Sequence, residues 1–149
     1  MFLGSYKYSV DSKGRVSIPS KFRKYVNQEA SDTFIMTRGI VQCIDIYPQD
    51  SWKAEVLVRI NQLDDFDPEE SAFKRLISEL AAEEKLDSQA RLLIPKNLLE
   101  FAGIEREVIV LGQTKKIELW NPDIYEAYKK ENSKPFAELA KQVMQKKTK

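Results

Sequence analysis

The sequence predicts an α+β chain in which one structural unit is used twice. The first observation is a repeat: Asp11-Ser12-Lys13-Gly14-Arg15, leading into Val16-Ser17-Ile18-Pro19, returns seventy-six positions later as Asp87-Ser88-Gln89-Ala90-Arg91, leading into Leu92-Leu93-Ile94-Pro95. The second is that each copy is followed by two short apolar runs rich in β-branched residues, the pattern of a hairpin. The third is apolar spacing of three and four residues between and after these runs, which marks amphipathic helices. At 149 residues and 42% hydrophobic composition, the chain has material for one ordinary domain or two small ones.

Taken in order, Tyr6 to Val10 read as a strand with β-favouring aromatics, and Ser12-Lys13-Gly14 as a turn. Arg15 to Ile18 form the next strand, with Val16 and Ile18 on one face and Arg15 and Ser17 on the other, so that Arg15 points away from the core. Pro19 ends it, and Ser20 to Tyr25 make a short helix with Phe22 and Tyr25 facing inward. Residues 34–36 and 40–47 are expected to pair as a hairpin across Thr37-Arg38-Gly39. After Pro48, Asp50 caps a helix that carries Trp52, Val56 and Ile60, with Leu63 near its end.

Residues 64–84 are acidic, with eight carboxylates opposed by Lys74 and Arg75 alone. Asp67-Pro68-Glu69-Glu70 has the N-cap, the first-turn proline and the glutamate of a helix start, and Phe73, Leu76, Ile77 and Leu80 follow at helical spacing. The reading is one amphipathic connecting helix over 68–84. The second copy repeats the plan: a turn at Asp87, a strand from Arg91 to Ile94, a helix from Lys96 to Ala102 stopped by Gly103, and a hairpin of Val108–Leu111 with Ile117–Trp120. Ile44-Asp45-Ile46-Tyr47 aligns with Ile117-Glu118-Leu119-Trp120 at a spacing of seventy-three, which places three extra residues of the first copy around 27–33. Asn121-Pro122 starts a helix with Ile124, Tyr125 and Tyr128 on one side; beyond Ser133 a further helical pattern ends in the frayed basic run Lys146-Lys147-Thr148-Lys149.

Composition narrows the function. The chain has no histidine and one cysteine, so Ser-His-Asp and Cys-His catalysis and the usual zinc sites are excluded. No coupled nucleophile and base can be named, and the chain is not expected to be an enzyme or to need a cofactor. Asp65-x-Asp67-x-Glu69 matches the opening of a calcium loop, but Glu70 stands where glycine is needed and Leu76 where the bidentate glutamate belongs. Cys43, in an apolar run, reads as a small buried hydrophobe. No run of eighteen apolar residues and no leader-like N-terminus is present, so the expectation is a cytoplasmic protein with no membrane partner.

What remains is the repeated Asp-x-x-x-Arg turn. A turn requires Gly, Asn or Asp, yet the second copy replaces Gly14 with Ala90 and keeps Asp87 and Arg91. The charged pair is retained rather than the turn chemistry. Aspartate can hold a guanidinium fork so that arginine meets a phosphate or the O6/N7 edge of guanine. Net charge is only +1, but Lys7, Lys13, Arg15, Lys21, Arg23 and Lys24 are opposed by Asp11 alone within residues 7–25. Asp11, Lys13, Gly14, Arg15 and Lys7, together with Asp87 and Arg91, are therefore the candidate residues for binding DNA or another polyanion; the alternative is a plain turn in which Gly14 supplies backbone freedom and Asp11 and Arg15 form an exposed ion pair.

Met1-Phe2-Leu3-Gly4, the run DSKGRVSIPSKFR (residues 11–23), DSQARLLIP (87–95) and EVIVLGQTKKIELWNP (107–122) together resemble the MraZ family of bacterial transcriptional regulators. That family joins two AbrB-like (SpoVT-AbrB) modules in one chain. The resemblance runs from Met1 to about Tyr128. It implies a swapped-hairpin, double-split β-barrel-like core with flanking helices and a ring-like homo-oligomer. It also implies binding to short G-rich direct repeats in double-stranded promoter DNA of a division and cell-wall operon, usually as a repressor in the nucleoid. On this reading the modules occupy 5–52 and 83–126, with a helical connector at 53–82 and a tail at 127–149. Ala90 departs from the glycine common in the family's second motif, so the second turn is expected to have a different backbone, the first copy to bind and the second mainly to build the fold or the ring. The different-class alternative is an antitoxin-like interaction module on the same fold, with its loops merely solvated.

Overall fold

A computed structural model describes residues 1–26, 32–132 and 134–147. Its strands are β1 (Phe2–Ser9), β2 (Arg15–Ser17), β3 (Thr33–Arg38), β4 (Ile44–Pro48), β5 (Ala82–Lys85), β6 (Arg91–Leu93), β7 (Glu107–Thr114) and β8 (Lys116–Trp120). The helices are α1 (Ser20–Arg23), α2 (Gln49–Trp52), α3 (Val58–Asn61), α4 (Pro68–Glu79), α5 (Lys96–Ala102), α6 (Pro122–Glu131) and α7 (Phe136–Lys147). A π-helical turn, Lys53–Leu57, joins α2 to α3.

Among the described residues, six strands form one antiparallel sheet in the order β1-β7-β8-β4-β3-β5, and β2 pairs only with β6. The order places each copy's first strand against the other copy's hairpin. β1 runs along β7 with Tyr6 opposite Val110, while β5 runs along β3 with Ala82 opposite Met36. Equivalent residues of the two copies meet at the centre: Val16 lies opposite Leu92 in the ribbon, and Asp45 opposite Glu118 where β4 joins β8. The chain is thus approximately two-fold symmetric about a line through these pairs. The barrel-like closure implied by the resemblance is not present among the described residues. β2 and β6 are three residues long, meet Pro19 and Pro95 after one intervening residue, and pair with each other instead of bridging β1 to β5.

The main core lies between one face of the sheet and the ribbon with α1 and α5. Val16, Phe22, Phe34, Met36, Ile46, Leu92, Leu98, Val110 and Leu119 are buried there. The opposite sheet face carries a smaller apolar cluster of Cys43, Ile109 and Trp120 beneath Ile124, Tyr125 and Tyr128 of α6. Asn121 caps α6 by accepting N–H bonds from Asp123 and Ile124 at 2.8 and 3.1 Å. Cys43 is buried as expected, and burial pushes its thiol far above the ordinary range.

Several boundaries move. β1 begins at Phe2 rather than at Tyr6 because β7 offers it eight paired positions. In the first hairpin, Gly39 N–H donates to the Cys43 carbonyl at 2.8 Å, which turns residues 40–43 into a loop and leaves Ile40 exposed. α1 stops at Arg23, so Tyr25, expected inward, is 55% exposed and touches only the edge of the Phe2 ring, with centroids 6.5 Å apart. Pro48, not Asp50, stands at the N-cap of α2. The helix expected over 68–84 ends at Glu79, and Ala82–Lys85 is a strand. Asp67 does cap α4, accepting from Glu69 and Glu70 at 2.9 and 3.2 Å. The stretch around 27–33, expected to hold the first copy's three extra residues, lies mostly outside the described residues. No helix among the described residues is long and apolar enough to cross a membrane.

Candidate nucleic-acid interface

Each Asp-x-x-x-Arg turn is a closed unit. Asp11 Oδ1 accepts the N–H groups of Lys13 and Arg15, both at 2.9 Å, and Oδ2 accepts Arg15 Nε at 2.6 Å. Asp87 does the same with Gln89 N–H, Arg91 N–H and Arg91 Nε, each at 2.9 Å. The backbone brackets agree as well. Asp11 N–H donates to Arg15 O and Gly14 N–H to Asp11 O, both at 3.0 Å; the equivalent bonds around Asp87 measure 2.9 and 3.0 Å. The aspartate therefore satisfies the turn with one oxygen and orients the guanidinium with the other.

The expectation that Ala90 gives the second turn a different backbone is corrected. Ala90 adopts φ +59° where Gly14 has φ +85°, both in the left-handed region. The Asp87 bonds hold alanine in a conformation that glycine adopts without strain. Glycine has a second reason to sit at position 14, since a Cβ there would stand 3.2 Å from the carbonyl oxygen of Ile94.

The sequence also gives no sign that the two turns touch. Gly14 O accepts the Ile94 N–H at 2.9 Å, and Ala90 O accepts the Ile18 N–H at 3.0 Å, so each turn is stitched to the other copy's strand. Arg91 Nη1 lies 3.8 Å from Asp11 Oδ2, and the four charged residues form one cluster. Arg15 and Arg91 side chains are 28% and 26% exposed, less than an outward-pointing arginine would be. Their Nη groups find no hydrogen-bond acceptor among the described residues. Lys13 is exposed at the tip of the first turn. Lys7 is exposed on β1 but acts electrostatically on Glu126 of α6 rather than joining the cluster.

Backbone N–H donation from Arg15, followed by that residue's side chain, holds the Asp11 carboxyl at about 2, and Asp87 is lowered for the same reasons. A carboxylate whose folded pKa lies below its unfolded value of about 3.9 favours the fold above that pH and loses its contribution as pH falls through the lower value. Both turns are therefore fully charged at neutral pH.

On the far sheet face, Cys43, Asp45 and Glu118 place three potential ligand atoms within 4.8 Å of one another. The protein already fills that site. Lys116 Nζ lies 3.0 Å from Asp45 and 3.4 Å from Glu118, Trp120 Nε1 donates to Glu118 at 3.0 Å, and the Cys43 thiol lies 3.6 Å from Asp45.

Comparison with known proteins matches the chain to the family described as "MraZ protein, putative antitoxin-like", over residues 1–76 and 79–147. A protein of Alkaliphilus metalliredigens named "Transcriptional regulator MraZ" is 39% identical over 140 residues, 94% of each chain. One of the same name from Natranaerobius thermophilus is 34% identical over 144 residues, 97% of each chain. Another, from Syntrophomonas wolfei, is 35% identical over 144 residues, again 97% of each chain.

Proposed function

The chain belongs to the MraZ family, and on that premise we propose that it is a transcriptional regulator that reads double-stranded DNA with both Asp–Arg turns as one composite element. The observation that carries the reading is that Arg15 and Arg91 hydrogen-bond Asp11 and Asp87 through Nε, while the Arg91 Nη1 contact with Asp11 Oδ2 is a longer ion pair at 3.8 Å. That leaves the two Nη groups of each guanidinium for an outside acceptor pair such as guanine O6 and N7, or for phosphate. A guanidinium fixed before binding loses less entropy on contact than a free one. Lys13, with Lys21, Arg23 and Lys24 nearby in sequence, supplies phosphate attraction that a net charge of +1 does not.

The finer parts of the reading follow the family. The targets are G-rich direct repeats in the promoter of the chain's own division and cell-wall operon, the effect is repression, and the protein acts in the nucleoid as a ring-like homo-oligomer. Several weak contacts on repeated sites then add through effective concentration. The reciprocal β1–β7 and β5–β3 pairing supports reading the core as two modules with exchanged strands.

The test is fluorescence anisotropy on a duplex from the region upstream of the gene, titrated at several salt concentrations. Arg15→Ala and Arg91→Ala should each cost about 1–3 kcal/mol of specific binding, while unfolding midpoints stay close to that of the parent. Unchanged affinity in a folded Arg15→Ala protein sinks the assignment of that residue. Loss with Arg15→Ala alone would restrict reading to the first turn. The absence of any competition-resistant complex with the parent protein would favour the antitoxin-like interaction module instead.

A further inference from the structure

On the sheet face away from the main core, a groove of about 630 Å³ opens between the sheet and helices α3 and α4. Val56, Ile60, Phe73 and Ile77 give it apolar walls, and Arg38 and Arg59 line it as well. Two lysines also border it, but each is already matched: Lys115 lies 3.4 Å from Glu55 and Lys116 3.0 Å from Asp45. Among the described residues neither arginine has a carboxylate within ion-pair distance. A concave, mostly apolar cavity of this size with a few polar groups has the form of a small-molecule site. The two unmatched arginines set the sign of its ligand, which is negative.

Arg38 connects this groove to the Asp–Arg turns. Its guanidinium lies over the Phe101 ring of α5 at 4.6 Å, and Gln42 Nε2 donates to the Phe101 carbonyl at 3.3 Å. α5 follows β6, which begins with Arg91. Leu99 of α5 also reaches the first turn, standing 3.7 Å from the place that a Cβ on Gly14 would take. One helix therefore links the groove's arginine to both turns.

We propose that the groove is an effector site for a small organic acid, whose apolar body lies against Val56, Ile60, Phe73 and Ile77 and whose carboxylate or phosphate meets Arg38 and Arg59. Duplex phosphates would satisfy the arginines but leave the apolar walls unfilled, and an uncharged hydrocarbon would do the reverse. The stack on Phe101 occupies a face of the Arg38 guanidinium and leaves donors on its edge for the acid. Arg59 is exposed and needs no displacement to reach a ligand. An acid that draws Arg38 toward the groove weakens its hold on Phe101 and loosens α5 beneath the turns. Ligand and DNA then oppose each other, and by linkage each lowers the affinity of the other by the same factor. The consequence for DNA rests on the regulatory reading above; the binding of the acid does not.

Saturation-transfer NMR on the full chain tests the site, with octanoate and octyl phosphate as probes and 1-octanol as the uncharged control. The tighter of the two acids identifies the head group that the arginines prefer. Arg38→Met and Arg59→Met should each weaken acid binding roughly tenfold and leave octanol unchanged, whereas Phe73→Ser should weaken all three. Circular dichroism and unfolding midpoints establish that each variant is folded. Fluorescence anisotropy on the upstream duplex, with and without the tighter acid, reads the consequence. Saturating acid should weaken DNA binding at least about fivefold, and Arg38→Met should remove that effect. Three outcomes overturn the site: no acid binding by the parent, unchanged acid binding in both arginine variants, or acid binding that appears only on dilution to monomers, which would mean that a second copy fills the groove. Acid binding as described with no response in DNA affinity overturns the effector role. A parent that binds no DNA but holds the acid through both arginines leaves the site standing and sinks the regulatory reading instead.

Discussion

Ala90 shows how a single residue can carry strain on behalf of a motif. Its φ of +59° is the conformation its counterpart Gly14 holds at +85°, and the hydrogen bonds around the two turns are the same within 0.1 Å except for Asp11 Oδ2 to Arg15 Nε. A left-handed alanine costs roughly 1–2 kcal/mol, part of which glycine returns as unfolded-state entropy. Ala90→Gly should therefore stabilise the protein by about 1 kcal/mol, seen as an upward shift of roughly 2–4 °C in thermal unfolding for a chain of this size. A midpoint that falls would mean that Ala90 makes packing contacts worth more than its strain. The Asp and Arg positions were legible in the sequence because they repeat in register. The Arg91–Asp11 contact was not, since the residues lie eighty apart and only the pairing of β2 with β6 brings them together.

At the level of elements, the informative error is Ala82–Lys85. Helical spacing runs from Phe73 to Leu80, and the acidic composition continues through Glu84, so a single-sequence reading extends the helix. Phe34 and Met36 of β3 lie opposite Glu84 and Ala82, and that pairing overrides local propensity. Caps, by contrast, were read correctly at Asp67 and Asn121 because their chemistry is local. Pairing also creates the β4–β8 junction, where Asp45 faces Glu118 and Lys116 lies within ion-pair distance of both. Burial raises the Asp45 pKa against the pull of Lys116. For Lys116 burial opposes the charge, but Asp45, Tyr47 and Glu118 together outweigh it and the net shift is upward. Replacing Lys116 by methionine leaves two buried carboxylates face to face and should cost about 3–5 kcal/mol in urea unfolding at neutral pH. Adding Asp45→Asn should restore much of the loss. A Lys116→Met protein as stable as the parent would show that Lys116 is not what offsets the pair.

Over the whole molecule the two copies are interdependent, because β1 completes the hairpin of the second copy and β5 that of the first. Duplication was visible in the sequence itself, but the pairing of β1 with β7 and of β5 with β3 could not be read from the residues, since a repeat spacing carries no information about which copy a strand pairs with. The near-symmetry raises the question of why each half does not pair with another copy of itself, and the β4–β8 junction supplies an answer. Position 116 of the second copy corresponds to position 43 of the first at the hairpin spacing of seventy-three, so the first copy has Cys43 where the second has Lys116. Two first halves would oppose Asp45 to Asp45 with no lysine, a buried double negative charge. Two second halves would oppose Glu118 to Glu118 with a lysine from each, a neutral set. Fragment 79–149 alone should therefore form a folded homodimer at high concentration, with folding that depends on concentration by mass action. Fragment 1–78 alone should remain largely unfolded at neutral pH and fold when fragment 79–149 is added. Circular dichroism and sedimentation of each fragment, alone and mixed, measure this directly. A fragment 1–78 that folds as a monomer would overturn the exchange of strands as the basis of the fold, and one that forms an equally stable homodimer would overturn the role given to Lys116.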